Sequence, residues 1–283
     1  MSAGAVKSFL SRHGLAASRD LGQNFLVDDT LATRLVELSG VEPDDSVIEV
    51  GTGLGALTQA LAARAQRVVS IEIDAGIVRA LRAEGRLPAN VELVHGDALE
   101  IDLAGWVARC GGRVRVVANL PYQVSAPLLR RFLELRSIIA DWSVMLQSEV
   151  AARLLAAPGS RDYGSFSVLH RLTVSFSRQM DLSPNCFYPV PRVHSSFVRI
   201  TPLKESAVGG EELEAVERVV RAAFAKRRKT VLNSLRSGGL CSAHSLAELQ
   251  TALARADIDP RARAESLEPE ALLALARQLG RTP

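Results

Sequence analysis

Between Ser46 and about Leu146, short β-rich runs alternate with stretches of helical periodicity, and that alternation restricts the chain to few folds. The runs are Val47–Val50, Val68–Ile73, Val91–His95, Val114–Ala118 and Trp142–Leu146. Leu57–Ala63, Ile77–Glu84 and Leu128–Leu135 lie between them with apolar residues at helical spacing. Ser125 reads as an N-cap with Pro127 in the first turn, and Gly85 as a C-terminal stop. Strands alternating with helices predict βαβ units, a mostly parallel sheet and right-handed crossovers. Ser148–Ala157 reads as a helix and residues 158–164 as a loop. Val174–Met180 and Ser196–Ile200 read as strands around a turn containing Pro184, Pro189 and Pro191, an antiparallel hairpin at one sheet edge. Gly209 and Gly210 interrupt the pattern within 203–210, and four helical stretches follow: Glu211–Phe224, Lys229–Leu235, Leu246–Ala256 and Pro269–Leu279. The expected organisation is an α/β domain over residues 1–203 and a small all-α domain over 204–283.

Composition narrows the setting. Apolar content of 47% with 23% charged residues is that of a soluble globular enzyme. Thirty-four Lys and Arg against 31 Asp and Glu leave only +3, so any nucleic-acid footprint must be local. Cys110, Cys186 and Cys241 are scattered, without metal-ligand spacing, and fit a reducing cytoplasm. No metal is expected. No run reaches the length of a membrane span, and the first twenty residues are too broken for a secretory signal. An Arg/Ser-rich transit peptide is the minor alternative.

The residues that carry chemistry gather where the strands end. Glu49-Val-Gly-Thr-Gly-Leu-Gly-Ala-Leu-Thr58 follows the first strand, and Gly51 and Gly53 would let the backbone turn sharply and approach a ligand. Ala56 stands where a dinucleotide fingerprint needs its third glycine; Gly55 instead makes G-x-G-x-G, a variant better known from methyltransferases that use S-adenosylmethionine. Glu72 ends the second strand, at the place of an acid that accepts hydrogen bonds from a ribose diol. Asp97 follows the third, where it can accept from an adenine amine while the Ala98 N–H meets a ring nitrogen.

After the fourth strand come Asn119, Leu120, Pro121 and Tyr122. The Asn119 side-chain oxygen and a carbonyl of Leu120 or Pro121 can hold an aromatic amine while the Tyr122 ring stacks on the base. Both bonds favour a pyramidal nitrogen whose lone pair points at a sulfonium methyl. Residues 21–26, Leu-Gly-Gln-Asn-Phe-Leu, set polar amides beside an aromatic, suited to closing over a cofactor or to capping an N-terminal helix. Lys226, Arg227, Arg228 and Lys229 form a basic run at a helix junction, a solvated face or a grip on phosphates.

Taken together, LGQNFL (21–26), VIEVGTGLGALT (47–58), EID (72–74), GDAL (96–99), NLPY (119–122), MLQSEVAARL (145–154) and FAKRRKTVLNSL (224–235) occur in the order found in one family. The chain resembles the small-subunit (16S) ribosomal RNA adenine N6,N6-dimethyltransferases. That resemblance implies a Rossmann-like class I methyltransferase domain followed by a small helical domain that binds RNA or the ribosome. It implies S-adenosyl-L-methionine as cofactor, with contacts at Asn24, Leu26, Gly51, Glu72, Asp97 and Asn119. The implied substrate is a pair of adjacent adenines in the 3′-terminal hairpin loop of 16S rRNA in the immature 30S subunit, approached by a monomer. The chain departs from the family pattern at Thr52 (commonly proline), at Ser148 (frequently lysine), at His194 (usually aspartate) and in a less basic stretch at Ser18-Arg19-Asp20.

Three other readings are weaker. An antibiotic-resistance methyltransferase of 23S rRNA shares the glycine loop but more often reads Asn-Ile-Pro-Tyr and lacks the KRRKT segment. A nicotinamide oxidoreductase needs the glycine that Ala56 replaces. A mainly non-catalytic assembly factor would bind the particle without transferring anything.

Overall fold

A computed structural model of the chain describes residues 1–210 and 212–280. Its strands are Phe25–Leu26 (β1), Ser46–Val50 (β2), Arg67–Glu72 (β3), Val91–His95 (β4), Val114–Asn119 (β5), Asp141–Gln147 (β6), Val174–Leu182 (β7), Phe187–Tyr188 (β8) and Ser195–Pro202 (β9). The helices of the α/β part are Ala3–Arg12 (α1), Asp29–Ser39 (α2), Ala56–Ala62 (α3), Ala75–Glu84 (α4), Leu103–Cys110 (α5) and Ser125–Glu134 (α6). They are followed by Ser148–Leu155 (α7), Ser165–Arg171 (α8), Leu213–Ala223 (α9), Val231–Ser237 (α10), Leu246–Arg255 (α11) and Pro269–Leu279 (α12). Glu211, where the sequence reading began the first tail helix, lies outside the described residues.

The chain divides into two compact units, Met1–Ala151 with Phe176–Pro202, and Ala152–Ser175 with Leu203–Pro283. The second unit therefore takes in residues 152–175, which the sequence reading left in the first. The physical reason is packing within that unit. Tyr163 donates its hydroxyl to the Leu267 carbonyl at 2.9 Å and sets its ring edge-on to Phe224. The Gly159 N–H also reaches the Glu265 carbonyl at 2.7 Å.

In the first unit a seven-stranded sheet has the order β4-β3-β2-β5-β6-β9-β7. Strands β2 to β6 pair in parallel, β2, β3, β5 and β6 as buried apolar runs and β4 as a partly exposed edge, and β9 runs antiparallel to β6 on the side it shares with β7. The order reverses between β2 and β5, so their outgoing loops part and leave a crevice at the carboxyl ends. Ser125 is not the N-cap: Val124 takes that place, and the Ser125 hydroxyl donates to the Tyr122 carbonyl at 3.1 Å. Gly85 does end α4 in the left-handed conformation. A separate ribbon, β1 antiparallel to β8, was not anticipated; two-residue strands carry no periodicity to read.

The amino ends of the parallel strands are fastened by charge. Arg115 in β5 is 2% exposed and donates from Nε to Asp45 at 2.6 Å and from Nη1 to Asp141 at the start of β6. Arg199 in β9 reaches the same Asp141 oxygen at 2.8 Å. Buried charges are tolerable only when paired, and removing one partner strands the others. Arg115→Leu is expected to cost about 3 kcal/mol or more of unfolding free energy. A urea midpoint equal to the parent's would show that the neighbouring arginines suffice.

Candidate active site

The crevice beyond β2, β3, β4 and β5 is a cleft open to solvent, with about 1130 Å³ of empty space when the solvent at its mouth is counted. Residues 20–26, 50–54, 71–73, 97–98 and 119–124 all line it. Each residue expected to hold a cofactor or a target amine in the first unit is thus brought to one place. The basic run does not belong to this wall: Lys226, Arg227, Arg228 and Lys229 are exposed in the second unit, between α9 and α10. There Arg227 is tied to Glu265 at 3.2 Å and to the Arg161 carbonyl.

The glycine turn works by close approach. Gly51 has φ +86°, and a Cβ there would lie 3.4 Å from the Asn119 carbonyl oxygen. Gly53 has φ +53°, and a Cβ would press on the Phe25 ring at 3.1 Å. Its N–H donates to Glu72 Oε2 at 2.8 Å. The other oxygen of Glu72 receives the Asp74 N–H at 2.9 Å. Burial pushes the Glu72 carboxyl above the usual range, and these two N–H donors oppose the shift. Thr52, which stands where proline is common, is buried with its hydroxyl 2.6 Å from that of Ser70.

Across the cleft, Asp97 Oδ1 accepts the Leu99 N–H at 2.8 Å, and Ala98 is buried. Arg131 on α6 donates to the carbonyls of Leu99 and Ile101, bracing this loop from outside. Asn24 and Leu26 come from the ribbon and the turn before it. Leu26 pairs with Phe187, and the Asn24 carbonyl receives the Asn119 Nδ2 at 2.8 Å. The Leu120 side chain is buried, so only its backbone can face a ligand. The Pro121 carbonyl accepts the Val124 N–H at 3.1 Å within the turn. Tyr122 is anchored through its hydroxyl, 2.7 Å from the Ser195 hydroxyl at the start of β9. Ser195 and the Phe187–Tyr188 strand were missed in the sequence, since nothing local links them to residues so distant along the chain.

Ser148 and His194, two departures from the family pattern, meet: the Ser148 N–H donates to the His194 carbonyl at 3.0 Å. No group of three or more His, Cys, Asp or Glu side chains among the described residues could hold a metal ion. No helix among them is long and apolar enough to cross a membrane.

Behind the glycine turn lies Glu49, fully buried on β2. Its Oε2 accepts from Ser70 at 2.5 Å and from Thr58 at 2.7 Å, and its Oε1 meets no hydrogen-bond partner among the described residues. Burial raises its carboxyl to about 8, partly opposed by the two hydroxyl donors, so it is mostly neutral at pH 7. The folded value lies above the unfolded one, so the folded state keeps a proton that the unfolded chain releases. This contribution is fully present below about pH 4.5 and is lost as pH rises to about 8. Glu49→Gln, neutral at every pH, should therefore melt higher than the parent near pH 8, the gap closing toward pH 5. Parallel melting curves across that range would show an ionised Glu49.

Comparison with known proteins gives the chain its relatives. Residues 14–279 match the family model described as ribosomal RNA adenine dimethylase. "Ribosomal RNA small subunit methyltransferase A" of Geobacter metallireducens is 42% identical over 267 residues, 94% of this chain and 96% of the relative. The protein of the same name from Desulfotalea psychrophila is 39% identical over 95% of this chain and 92% of its own length. Among solved structures, a dimethyladenosine transferase from Plasmodium falciparum superposes with a TM-score of 0.72 at 23% identity, covering 89% of this chain and 95% of that one. The 23S rRNA methyltransferase ErmE gives a TM-score of 0.64 at 26% identity, covering 91% and 100%.

Proposed function

The chain belongs to the ribosomal RNA adenine dimethylase family, and from that membership we propose a specific reaction. It dimethylates the N6 amines of two adjacent adenines in the 3′-terminal hairpin loop of 16S rRNA, with S-adenosylmethionine as methyl donor. The substrate is the immature 30S subunit, met in the cytoplasm by a monomer. Relatives named small-subunit methyltransferase A, 42% and 39% identical over nearly the whole chain, support the small-subunit assignment.

The observation that carries this reading is the fixed orientation of the Asn119 amide. A backbone carbonyl can only accept, so the Asn24 oxygen 2.8 Å away holds Nδ2 toward itself. Oδ1 is left as the acceptor, which suits an amine and disfavours a base carbonyl. The Pro121 carbonyl is engaged in the turn, which favours the Leu120 carbonyl as the second acceptor. Tyr122, steadied by Ser195, offers its ring to the base.

The cleft also fits the donor. Glu72 and Asp97 put one carboxylate at each end of an adenosine, for the ribose diol and the adenine amine. Gly51 and Gly53 admit the backbone close to it, while Asn24 and Leu26 close the near wall. When bound, the donor supplies a methyl already activated on a sulfonium. The residues bind, orient and exclude water. In the first round the two acceptors draw on both amine N–H bonds, and in the second one of them holds the remaining N–H, keeping the lone pair in line. Each time the proton displaced from nitrogen passes to solvent. Positioning of this kind supplies several kcal/mol without a strong base. Asn119→Ala should lower labelled methyl transfer to immature small subunits by about 100-fold or more. Undiminished dimethyladenine would remove the amide from the mechanism.

The exposed run at 226–229 would grip phosphates without reading sequence. Because Arg227 also braces Glu265 and the Arg161 carbonyl, Arg228 is the cleaner probe. Arg228→Ala should weaken RNA binding at all salt concentrations and reduce the salt slope by about one. An unchanged slope would mark the run as solvated surface.

A further inference from the structure

We propose that Gln23 is a positioning residue, a latch that holds residues 18–24 across the cleft and couples the Glu72 carboxylate, meant for the donor's ribose, to the Asn119 amide that receives the target amine. What Glu72 and Asn119 hold rests on the function proposed above; the latch is read from the geometry alone.

Both ends of the Gln23 side-chain amide are engaged. Nε2 donates to Asp74 Oδ2 at 2.9 Å, and Oε1 accepts the Ser18 N–H at 2.8 Å. The Gln23 N–H returns to the Ser18 carbonyl at 3.1 Å, so the segment is closed on itself as well as tied down. Asp74 is in turn a fixed point. Its Oδ1 caps α4 through the N–H groups of Gly76 at 2.8 Å and Ile77 at 3.2 Å, and its own N–H rests on Glu72 Oε1 at 2.9 Å. One peptide unit beyond Gln23 is the Asn24 carbonyl that orients Asn119 at 2.8 Å. By contrast, Gln123 reaches the Arg19 carbonyl at 3.2 Å from an exposed side chain, a weaker tie.

A continuous path therefore runs Glu72, Asp74, Gln23, Asn24, Asn119. The carboxylate meant for the ribose and the amide meant for the base are set by one chain of hydrogen bonds. Gln23 is its removable link, touching neither reacting atom. A residue of similar size that cannot hydrogen-bond would leave the fold and the acids in place while freeing the Asn24 carbonyl to move.

The test uses the full chain with four variants: Gln23→Leu, Gln23→Glu, Asp74→Asn and the double variant Gln23→Glu with Asp74→Asn. S-adenosylmethionine binding is measured by calorimetry and transfer to immature small subunits at saturating donor. Gln23→Leu should weaken donor binding about tenfold and lower the saturated rate by a similar factor, with little change in melting temperature. Gln23→Glu sets two carboxylates together, and Asp74→Asn sets two amide donors face to face, so each loses as well. The double variant reverses the bond: the new amide at 74 donates to the new carboxylate at 23. That carboxylate still accepts the Ser18 N–H, and position 74 keeps an oxygen for the helix cap. Binding and rate should return to within about threefold of the parent. A merely structural residue would move the melting temperature and give no such reciprocal rescue. Parental binding and rate in Gln23→Leu overturn the latch, and so does a double variant no better than the worse single one. A parent chain that binds the donor yet transfers nothing overturns the functional reading instead, and the binding arm of the exchange still decides the latch.

Discussion

The parallel pairing of β2 with β5, Ser46 opposite Val114 through Val50 opposite Ala118, is the constraint on which the molecule turns. At this pair the strand order reverses, so the loops after the two strands open a crevice between them. The same pair that is spread at its carboxyl end is locked at its amino end, where Arg115 draws Asp45 and Asp141 together. Directionless apolar packing would hold the strands side by side. The buried apolar pattern and the backbone ladder specify the register, the ion cluster fastens it at the amino end, and register sets how near Gly51 comes to Asn119.

Much of this was legible because burial on both faces demands apolar runs, and β2, β3, β5 and β6 announce themselves that way, while β4 at the sheet edge shows through Val91, Leu93 and Val94. The glycine turn, Glu72, Asp97 and residues 119–122 could be placed from strand ends alone, since ligands of such sheets bind there. What stayed hidden depends on distance. Gln23 with Asp74, Asn24 with Asn119 and Tyr122 with Ser195 are hydrogen bonds between residues 51, 95 and 73 positions apart, and no local pattern encodes them. That residues 152–175 pack within the second unit stayed hidden for a related reason: a loop and a short helix carry no local mark of the unit they pack into. Ser125 misled because a serine before an apolar helical run serves equally as a cap or as a donor to the preceding turn.

Two buried glutamates on neighbouring strands show how environment divides one chemistry into two roles. Glu72 is met by two backbone N–H groups and lines the cleft, so it can remain an acceptor for a ligand. Glu49 is met only by hydroxyls and sits behind the turn, where keeping its proton costs less than carrying a charge. The second serves the first by holding Ser70, whose hydroxyl steadies Thr52 between the two close-approach glycines.

The ribbon of β1 and β8 joins Phe25 and Leu26, which line the cleft, to Tyr188 and Phe187 behind them, from nearly opposite ends of the first unit's sequence. The hold on Phe25 and Leu26 is thus supplied by a strand pair whose other half stands 161 to 163 positions further along the chain, so a change near residue 187 acts on the cleft without touching it.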